Sequence, residues 1–340
     1  MTTAQEEGSS LSAAMKRIEV SEADRLFLKG KTIALIGYGS QGRSQALNLR
    51  DSGLNVAIGL RDLDSKSADT ARADGFVPEG IESAAQRAQL IMLMTPDESH
   101  AALYEHLAAK LDLAGKALGF AHGYALHFGL IKPDPTVDLI LISPKGIGPA
   151  VRSQYLAGSG VAALLAVGQD ASGQAWNFAR SYAAGIGSDR LALFETSFEE
   201  ETIADLFSEQ AVIVGGMTEL LRAGFDTMTR KGIAPELAYF ECIVEAKLIL
   251  DMIVEEGFAG TFEKISNTAE YGAQEAGKRI IDDGVQARMD ELFEEISSGS
   301  FAQSWNNEVA VGMPRLIQRR KQWQQSSIDA TAGSMREFLP

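Results

Sequence analysis

The chain has 340 residues, 45% of them hydrophobic, which is enough to bury a sizeable core and favours two domains over one. A formal net charge of -15 excludes the basic surface that binding to duplex nucleic acid normally requires. The single cysteine excludes an intramolecular disulfide, and no apolar run reaches the roughly 20 residues of a membrane span, so we expect a cytoplasmic protein with neither nucleic acid nor membrane as a partner.

The N-terminal part of the chain is predicted to be a nucleotide-binding domain preceded by a tail. Residues 1–15 show no sustained apolar period and are predicted to form a mobile tail. Between residues 16 and 195, short apolar runs alternate with amphipathic stretches such as 41–52 and 98–111. This order predicts a doubly wound α/β Rossmann domain, with a parallel sheet covered on both faces. The predicted strands are 32–36, 56–60, 90–94, 116–120, 139–142 and 161–167.

Residues 196–340 are predicted to form an all-helical domain. Glycine and proline become rarer, and long helical periods run over 199–223 and 235–256. The stretch 211–217 is apolar around most of the helix, which predicts packing against other helices or a second subunit. The last fifteen residues, 326–340, give only weak structural signals.

A glycine-rich motif follows the first predicted strand. The sequence Gly37-Tyr38-Gly39-Ser40-Gln41-Gly42 has the G-x-G-x-x-G spacing and leads directly into a predicted helix. In such a motif the first glycine permits the tight turn, the second lets the backbone approach a pyrophosphate, and the third permits close packing. The order of strand, turn and helix indicates dinucleotide binding, although glycines in a purely structural turn would give the same letters.

The second predicted strand ends in Arg61, where a site specific for NAD usually has Asp or Glu. A cation there suits the 2′-phosphate of NADP, and Ser65 and Ser67 offer further hydrogen bonds. Asp62 and Asp64 add negative charge to the same loop, and an exposed loop arginine is the alternative interpretation. We favour NADP over NAD.

Two carboxylate pairs lie at a spacing of four residues in predicted helices. Asp205 with Glu209, and Glu241 with Glu245, would each share one helix face among apolar neighbours. A hard divalent cation such as magnesium would stabilise such carboxylates, although Lys247 or a distant arginine could pair with them instead. Three other acidic runs are predicted to be ordinary surface charge: 199–201, 282–283 and 294–295.

Two further polar residues follow predicted strands. His122 follows the strand 116–120 and Lys145 follows the strand 139–142, at the carboxyl ends where doubly wound folds bind ligands. Lys145 could bind an anionic substrate or cofactor, or could simply belong to a structural loop. His106 is expected to face solvent.

Six motifs in order together resemble ketol-acid reductoisomerase, in the short form of that family. The resemblance covers nearly the whole chain and implies a Rossmann domain followed by one knotted, all-helical domain that forms a homodimer or a higher homo-oligomer. The motifs are GYGSQG at 37–42, FAHG at 120–123, PKG at 144–146, DLFSEQ at 205–210, AYFE at 238–241 and ISNTAEYG at 265–272.

The resemblance implies an activity that needs NADPH and two Mg²⁺ ions. An acetohydroxy acid, 2-acetolactate or 2-aceto-2-hydroxybutyrate, would undergo alkyl migration and then reduction by hydride to a 2,3-dihydroxy acid. This is a step of valine, leucine and isoleucine biosynthesis. Two metal ions suit the migration because they stabilise an alkoxide beside a polarised carbonyl.

The resemblance also assigns residues to roles. Asp205 would bridge both metals, Glu209 would complete one site, and Glu241 and Glu245 would serve the other. Glu245 would also act in catalysis by relaying a proton through water or substrate.

Among the remaining residues, Ser266 would hold the substrate, His122 would lie at the catalytic centre, and Lys145 would add positive charge. The implied cofactor contacts are Gly37, Tyr38, Gly39, Ser40, Gln41, Gly42, Arg61, Ser65, Ser67, Asp97, Glu98, Ser99, His100 and Gly148.

The sequence departs from the family's usual pattern at four places. Tyr124-Ala125-Leu126 replaces Phe-Asn-Ile, residues 146–149 read Gly-Ile-Gly-Pro instead of Gly-Pro-Gly-His, Arg43 replaces a frequent histidine, and the loop 61–67 is one residue longer. These changes leave cofactor preference and side-chain selectivity open, including a specialised paralogue that acts on a related keto acid.

Two other functions compete with this interpretation. A metal-independent dehydrogenase of the hydroxyisobutyrate or imine reductase type also joins a Rossmann domain to a helical dimerisation domain, but it would not need the four carboxylates. A non-catalytic NADP-binding protein would need neither metal nor substrate residues.

Overall fold

The computed structural model describes residues 14–338, so most of the predicted tail, residues 1–13, lies outside the described residues. The chain divides into two compact units. The first unit extends to Thr202 and the second begins at Ile203. Within residues 14–338, no helix is both long enough and apolar enough to cross a membrane.

The first unit is built on one eight-stranded sheet with the order β3-β2-β1-β4-β5-β6-β7-β8. All neighbouring strands pair in parallel except β6 and β7, which are antiparallel. The strands are β1 (Thr32–Ile36), β2 (Asn55–Leu60), β3 (Glu79–Gly80), β4 (Leu90–Leu93), β5 (Ala117–Phe120), β6 (Asp138–Pro144), β7 (Ala163–Gln169) and β8 (Leu193–Glu195).

Helices cover both faces of this sheet, as the sequence predicts. Side chains of β1 alternate between the two faces, so Ile33 and Leu35 join one buried cluster while Ala34 and Ile36 join the other. The helices are α1 (Glu22–Phe27), α2 (Ser40–Asp51), α3 (Lys66–Ala73), α4 (Ile81–Arg87), α5 (His100–Lys110), α6 (Tyr124–His127), α7 (Gly148–Leu156), α8 (Ala175–Gly185) and α9 (Phe198–Phe207), the last of which runs into the second unit.

The six predicted strands are present, but the expectation of a wholly parallel sheet is wrong at β7. A strand parallel to β6 would need a crossover that returns the chain to the amino end of β6. Instead α7 packs against α2, and β7 begins beside the carboxyl end of β6, so that it runs back antiparallel to β6. The sequence also missed β3 and β8, which have only two and three residues and therefore no measurable period.

The second unit is helical, with a core where the helices Gly215–Arg230, Pro235–Tyr239 and Ser327–Met335 meet around Phe225, Ala238 and Met335. The predicted helices 199–223 and 235–256 are each interrupted by a π-helical segment, Ser208–Ile213 and Phe240–Val244. The remaining helices are α10 (Gly215–Arg230), α11 (Pro235–Tyr239), α12 (Glu245–Lys264), α13 (Asn267–Ile280), α14 (Asp283–Ser297), α15 (Ser300–Ala310), α16 (Pro314–Gln324) and α17 (Ser327–Met335).

Many apolar side chains of the second unit are exposed in the single chain. Val254 is 86% exposed, and Phe258 and Tyr271 are each 71% exposed. In the stretch 211–217, Ala211 is buried but Val212 and its two successors are about half exposed. Packing among the described residues therefore leaves most of this stretch exposed.

Candidate functional site

The glycine-rich turn has the geometry that a dinucleotide requires. Gly37 has φ +108°, and a Cβ there would lie 2.8 Å from the carbonyl oxygen of Met94. A Cβ on Gly42 would lie 2.6 Å from the Gly37 carbonyl oxygen, whereas a Cβ on Gly39 would meet nothing within 4 Å. Gly39 is the N-cap of α2, so the open space lies at the amide end of a 12-residue helix. This end of α2 fits a pyrophosphate.

The loop after β6 packs directly on this turn. Nε2 of Gln41 donates a hydrogen bond of 2.8 Å to the Gly146 carbonyl. A Cβ on Gly148 would lie 2.3 Å from the carbonyl oxygen of Ser40, so only glycine permits this approach. Pro149 occupies the first turn of α7, where its missing N–H costs little. The carboxyl end of β6 is thereby held beside the turn after β1.

The loop after β2 presents a free cation. Arg61 is exposed and makes no hydrogen bond or ion pair with any of residues 14–338. Ser65 caps α3: its Oγ accepts a bond of 3.3 Å from the amide of Ala68 and donates one of 2.7 Å to the Asp62 carbonyl. Ser67 is half-buried in the first turn of α3. The Arg61 guanidinium is therefore available to an anion that lies outside the loop.

The segment after β4 is supported from within by His100. Its side chain is 2% exposed, and its Nε2 lies 2.8 Å from the Thr95 carbonyl. Burial lowers the pKa of His100 to about 4, so the ring is neutral near pH 7 and Nε2 carries the proton that it donates. The half-exposed residues Asp97, Glu98 and Ser99, rather than His100, form the surface of this segment.

A buried carboxylate joins the two polar residues predicted at strand ends. Oε2 of Glu201 accepts hydrogen bonds of 3.1 Å from Nδ1 of His122 and 3.1 Å from the amide of Gly123. Oε1 accepts bonds of 2.7 Å from the Ser143 hydroxyl and 3.2 Å from Nζ of Lys145. His122 and Lys145, which follow β5 and β6, are thus held together by one carboxylate from α9.

The charge on Glu201 is maintained despite its burial. Burial raises the pKa of Glu201, but the hydrogen bond and charge of His122, with Lys145 and Ser143, outweigh it and lower the pKa to about 2. An ionised carboxylate only accepts hydrogen bonds, so Nδ1 of His122 carries the proton in its bond to Glu201.

The sequence prediction that 199–201 is surface charge is wrong for Glu201, which is 1% exposed. Glu199 and Glu200 are exposed, as expected. Phe198 packs against Phe120 with ring centroids 6.1 Å apart, and this contact turns the face of α9 that carries Glu201 inward. The sequence contains one indication that Glu201 belongs with the site. It precedes Asp205 by four residues and therefore extends the four-residue spacing of Asp205 and Glu209.

The predicted metal ligands lie at or next to the two π-helical segments. Glu209 and Glu241 are within these segments, Asp205 lies three residues before the first, and Glu245 begins α12 directly after the second. Oxygen-only donors of this kind suit Mg²⁺. Lys247 pairs with Asp251 at 2.5 Å, and neither Glu241 nor Glu245 has an ion pair among residues 14–338. Local pairing with Lys247, the alternative to metal binding, is therefore not found.

Ser266 is exposed at the N-cap of α13. Its Oγ accepts a bond of 3.2 Å from the amide of Ala269, and this leaves the hydroxyl proton able to donate to a ligand. His106 is exposed and lies 2.7 Å from a carboxylate oxygen of Glu82, as expected of a surface histidine.

Comparison with known proteins decides the family. Residues 27–192 match the family described as acetohydroxy acid isomeroreductase, NADPH-binding domain, and residues 198–340 match ketol-acid reductoisomerase, C-terminal domain. The chain is 38% identical to an NADH-preferring ketol-acid reductoisomerase from an uncultured archaeon, with a TM-score of 0.92 over 96% of this chain and 99% of that one. The chain belongs to the ketol-acid reductoisomerase family. It therefore has the NAD(P)H-dependent reductoisomerase activity of branched-chain amino acid biosynthesis.

Other solved structures share the fold of this chain. A semialdehyde dehydrogenase NAD-binding protein from Cupriavidus necator is 19% identical, with a TM-score of 0.59 over 78% of this chain and 99% of that one. A pyrroline carboxylate reductase from Plasmodium falciparum is 11% identical, with a TM-score of 0.50 over 80% and 98%. Identities this low show the fold alone, so they do not support the competing metal-independent dehydrogenase.

Proposed function

We propose that the chain converts 2-acetolactate or 2-aceto-2-hydroxybutyrate into the corresponding 2,3-dihydroxy acid, with NADPH and two Mg²⁺ ions. The observation that carries this proposal is the Glu201 cluster, which holds His122 and Lys145 at the edge of the sheet where the glycine-rich turn also lies. A binding protein that only senses a dinucleotide has no need for such a buried charged cluster.

The chain's own residues supply orientation and charge in this proposal. Glu201 fixes the tautomer and the plane of His122, so that Nε2 of His122 is the nitrogen that donates to, or accepts from, a reacting oxygen. Lys145, whose side chain is 35% exposed, brings its ammonium group to the same carboxylate and stabilises negative charge that develops nearby. Ser266 donates its hydroxyl proton to the substrate.

The proposed metal ligands are Asp205, Glu209, Glu241 and Glu245, with Glu245 also relaying a proton. Bound Mg²⁺ supplies Lewis acidity, which stabilises charge on two neighbouring substrate oxygens during alkyl migration. The carboxylates of these residues hold the ions, and the π-helical segments present Glu209 and Glu241. Such segments often occur at functional sites in helices.

NADPH rather than NADH is proposed because of Arg61. Its guanidinium lies at the end of β2 without a partner among the described residues, where the 2′-hydroxyl or 2′-phosphate of a dinucleotide is recognised. Glycines 37, 39 and 42 and the first turn of α2 bind the pyrophosphate in this proposal, with Tyr38, Ser40, Gln41, Gly148 and residues 97–99 contributing contacts. The buried His100 supports residues 97–99 from within and does not itself reach the cofactor. The similar archaeal ketol-acid reductoisomerase prefers NADH, and kinetics of this chain with NADPH and with NADH test the proposed preference.

We propose that the second unit forms a homodimer, because burial of its exposed apolar residues against a second subunit would remove them from water. Val254, Phe258, Tyr271, Ile280 and Ile281 are each more than half exposed in the single chain. Exposed apolar side chains that gather into a patch mark protein interfaces, so we infer that a second subunit covers these residues. Sedimentation of the wild type at twice the chain mass, and of Val254→Asp at a smaller mass, would support a dimer, whereas a monomeric wild type would exclude it.

The metal assignment is tested by the Mg²⁺ concentration that gives half-maximal activity. We expect Asp205→Asn and Glu241→Gln each to raise it at least about tenfold or to abolish activity, because each loses a charged oxygen ligand. Glu255→Gln, an exposed carboxylate elsewhere on α12, is the matched control and should leave it unchanged. If both ligand variants keep the wild-type Mg²⁺ dependence, the assignment is wrong.

A further inference from the structure

Asp74, directly after α3, is bonded to the glycine-rich turn and to α2. Its Oδ2 accepts hydrogen bonds of 2.9 Å from the Tyr38 hydroxyl and 2.6 Å from Nε of Arg43, and its Oδ1 accepts one of 2.9 Å from Nη2 of Arg43. Arg50 of α2 also donates to the Asp74 carbonyl. One residue thereby ties the end of α3 to the glycine-rich turn and to α2.

This carboxylate is largely shielded from water. The side chain of Asp74 is 14% exposed, and Tyr38 is 5% exposed. The hydrogen bonds from Arg43, which outweigh partial burial, lower the pKa of Asp74, so the bidentate ion pair is charged across the neutral range. The Tyr38 ring also packs edge-on against Phe76, with centroids 5.9 Å apart. Removal of the carboxylate would leave a nearly buried hydroxyl without its partner, which is costly.

The other end of α3 is bonded to the loop that carries Arg61. Ser65 caps the helix, and Nη2 of Arg72, in its last turn, donates a bond of 2.6 Å to the carbonyl of Leu63. The eight residues of α3 span about 12 Å and so link Asp74 rigidly to this loop. Only Ala68 and Ala71 of α3 are buried, so apolar packing contributes little to fixing the helix in place.

We propose that Asp74 is a positioning residue for the dinucleotide, which sets the spacing between the glycine-rich turn and the loop 61–67. The pyrophosphate and the 2′-phosphate are two anionic groups of one ligand, so both are bound well only when their two sites are correctly spaced. Loss of this spacing should weaken the contacts to the 2′-phosphate more than the contacts to the rest of the cofactor. The inference rests on the proposed binding of NADPH.

The test measures dissociation constants of NADPH and NADH by nicotinamide fluorescence, with the protein alone and no substrate. We expect Asp74→Ala to weaken NADPH binding about tenfold and NADH binding about two- to threefold, so that the preference for NADPH shrinks. With substrate present, KM for NADPH should rise while kcat changes less than about twofold.

Asp189→Ala is the matched control. Asp189 is a carboxylate still more shielded than Asp74, 3% exposed and paired with Arg25. Among residues 14–338 it makes no hydrogen bond or ion pair with the glycine-rich turn or with loop 61–67. The control should lose stability and keep the wild-type ratio of the two dissociation constants. Should Asp74→Ala fail to fold, Asp74→Asn and Tyr38→Phe replace it. Each removes part of the network and should give a smaller shift in the same direction.

The outcomes separate this inference from the proposed function. An unchanged ratio in Asp74→Ala, or in both replacement variants, overturns the positioning role while NADPH binding by the wild type stands. A ratio that falls equally in Asp189→Ala also overturns it, because general destabilisation then explains the effect. A wild type that binds NADPH no more tightly than NADH contradicts the proposed cofactor preference, and the inference fails with it.

Discussion

Oε2 of Glu201 lies 3.1 Å from Nδ1 of His122, in a pair whose carboxylate is completely buried. The same carboxylate is 3.2 Å from Nζ of Lys145. Glu201 therefore holds two side chains that come from neighbouring strand ends.

Glu201→Gln should lower kcat about a hundredfold. The amide has nearly the same size, but it removes the charge that stabilises Lys145 and offers an N–H where His122 or Lys145 now donates. KM for NADPH should change less than about twofold. Steady-state kinetics check this, with Glu199→Gln, exposed in the same turn of α9, as the control. Full activity in Glu201→Gln would show that the cluster is only structural.

The loss of folding stability at acid pH should depend on His100. Its pKa is about 4 in the fold and 6.5 in the unfolded chain, so between these values the unfolded state binds a proton that the folded state does not. The free energy of unfolding should therefore fall as the pH drops from 6.5 towards 4, by up to about 3 kcal/mol from this group.

Urea unfolding at pH 7 and pH 5 measures this effect. His100→Gln should show a smaller loss of stability between the two pH values than the wild type. The exposed His106→Gln should parallel the wild type. Equal pH dependence in His100→Gln and the wild type would refute the assignment to His100.

Gly215→Ala should disturb the first π-helical segment. A Cβ at Gly215 would lie 2.0 Å from the carbonyl oxygen of Gln210, so the backbone that carries Glu209 must move. We expect a loss of about 1 to 3 kcal/mol in unfolding free energy and a higher Mg²⁺ requirement. Gly277→Ala, in α13, meets nothing within 4 Å and should be neutral or slightly stabilising. Indistinguishable behaviour of the two variants would argue against this role for Gly215.

Arg61→Ala should reduce the preference for NADPH. A charge-assisted bond to a phosphate is worth roughly 1.5 to 3 kcal/mol, so KM for NADPH should rise at least about tenfold while KM for NADH stays within twofold. Lys110→Ala, an exposed cation at the end of α5, controls for the change in net charge. A similar rise with both cofactors would mean that Arg61 does not bind the 2′-phosphate.

The sequence predicted those parts of the molecule whose signal is local. An apolar run followed by G-x-G-x-x-G located β1 and α2 to within one residue, because the turn needs those glycines whatever surrounds it. Ser326 is a residue type that favours helix N-caps, and it caps α17. The apolar pattern of this stretch is by itself too weak to predict a helix.

Features that depend on packing were not predictable in the same way. Glu201 sits in a run of three glutamates that suits the solvated first turn of any helix, and only the contact of Phe198 with Phe120 turns it inward. The π-helical segments were missed because the apolar pattern continues through them. The antiparallel direction of β7 follows from the packing of α7 against α2, and strand propensity does not predict this packing.

The most direct test of the central claim is oxidation of NADPH with 2-acetolactate, measured in excess Mg²⁺ and again after treatment with EDTA. We predict oxidation that requires both the substrate and Mg²⁺ and returns when Mg²⁺ is restored. No oxidation of NADPH or NADH under these conditions would contradict the acetolactate assignment. Oxidation that EDTA leaves unchanged, with another keto acid as substrate, would indicate a metal-independent dehydrogenase instead.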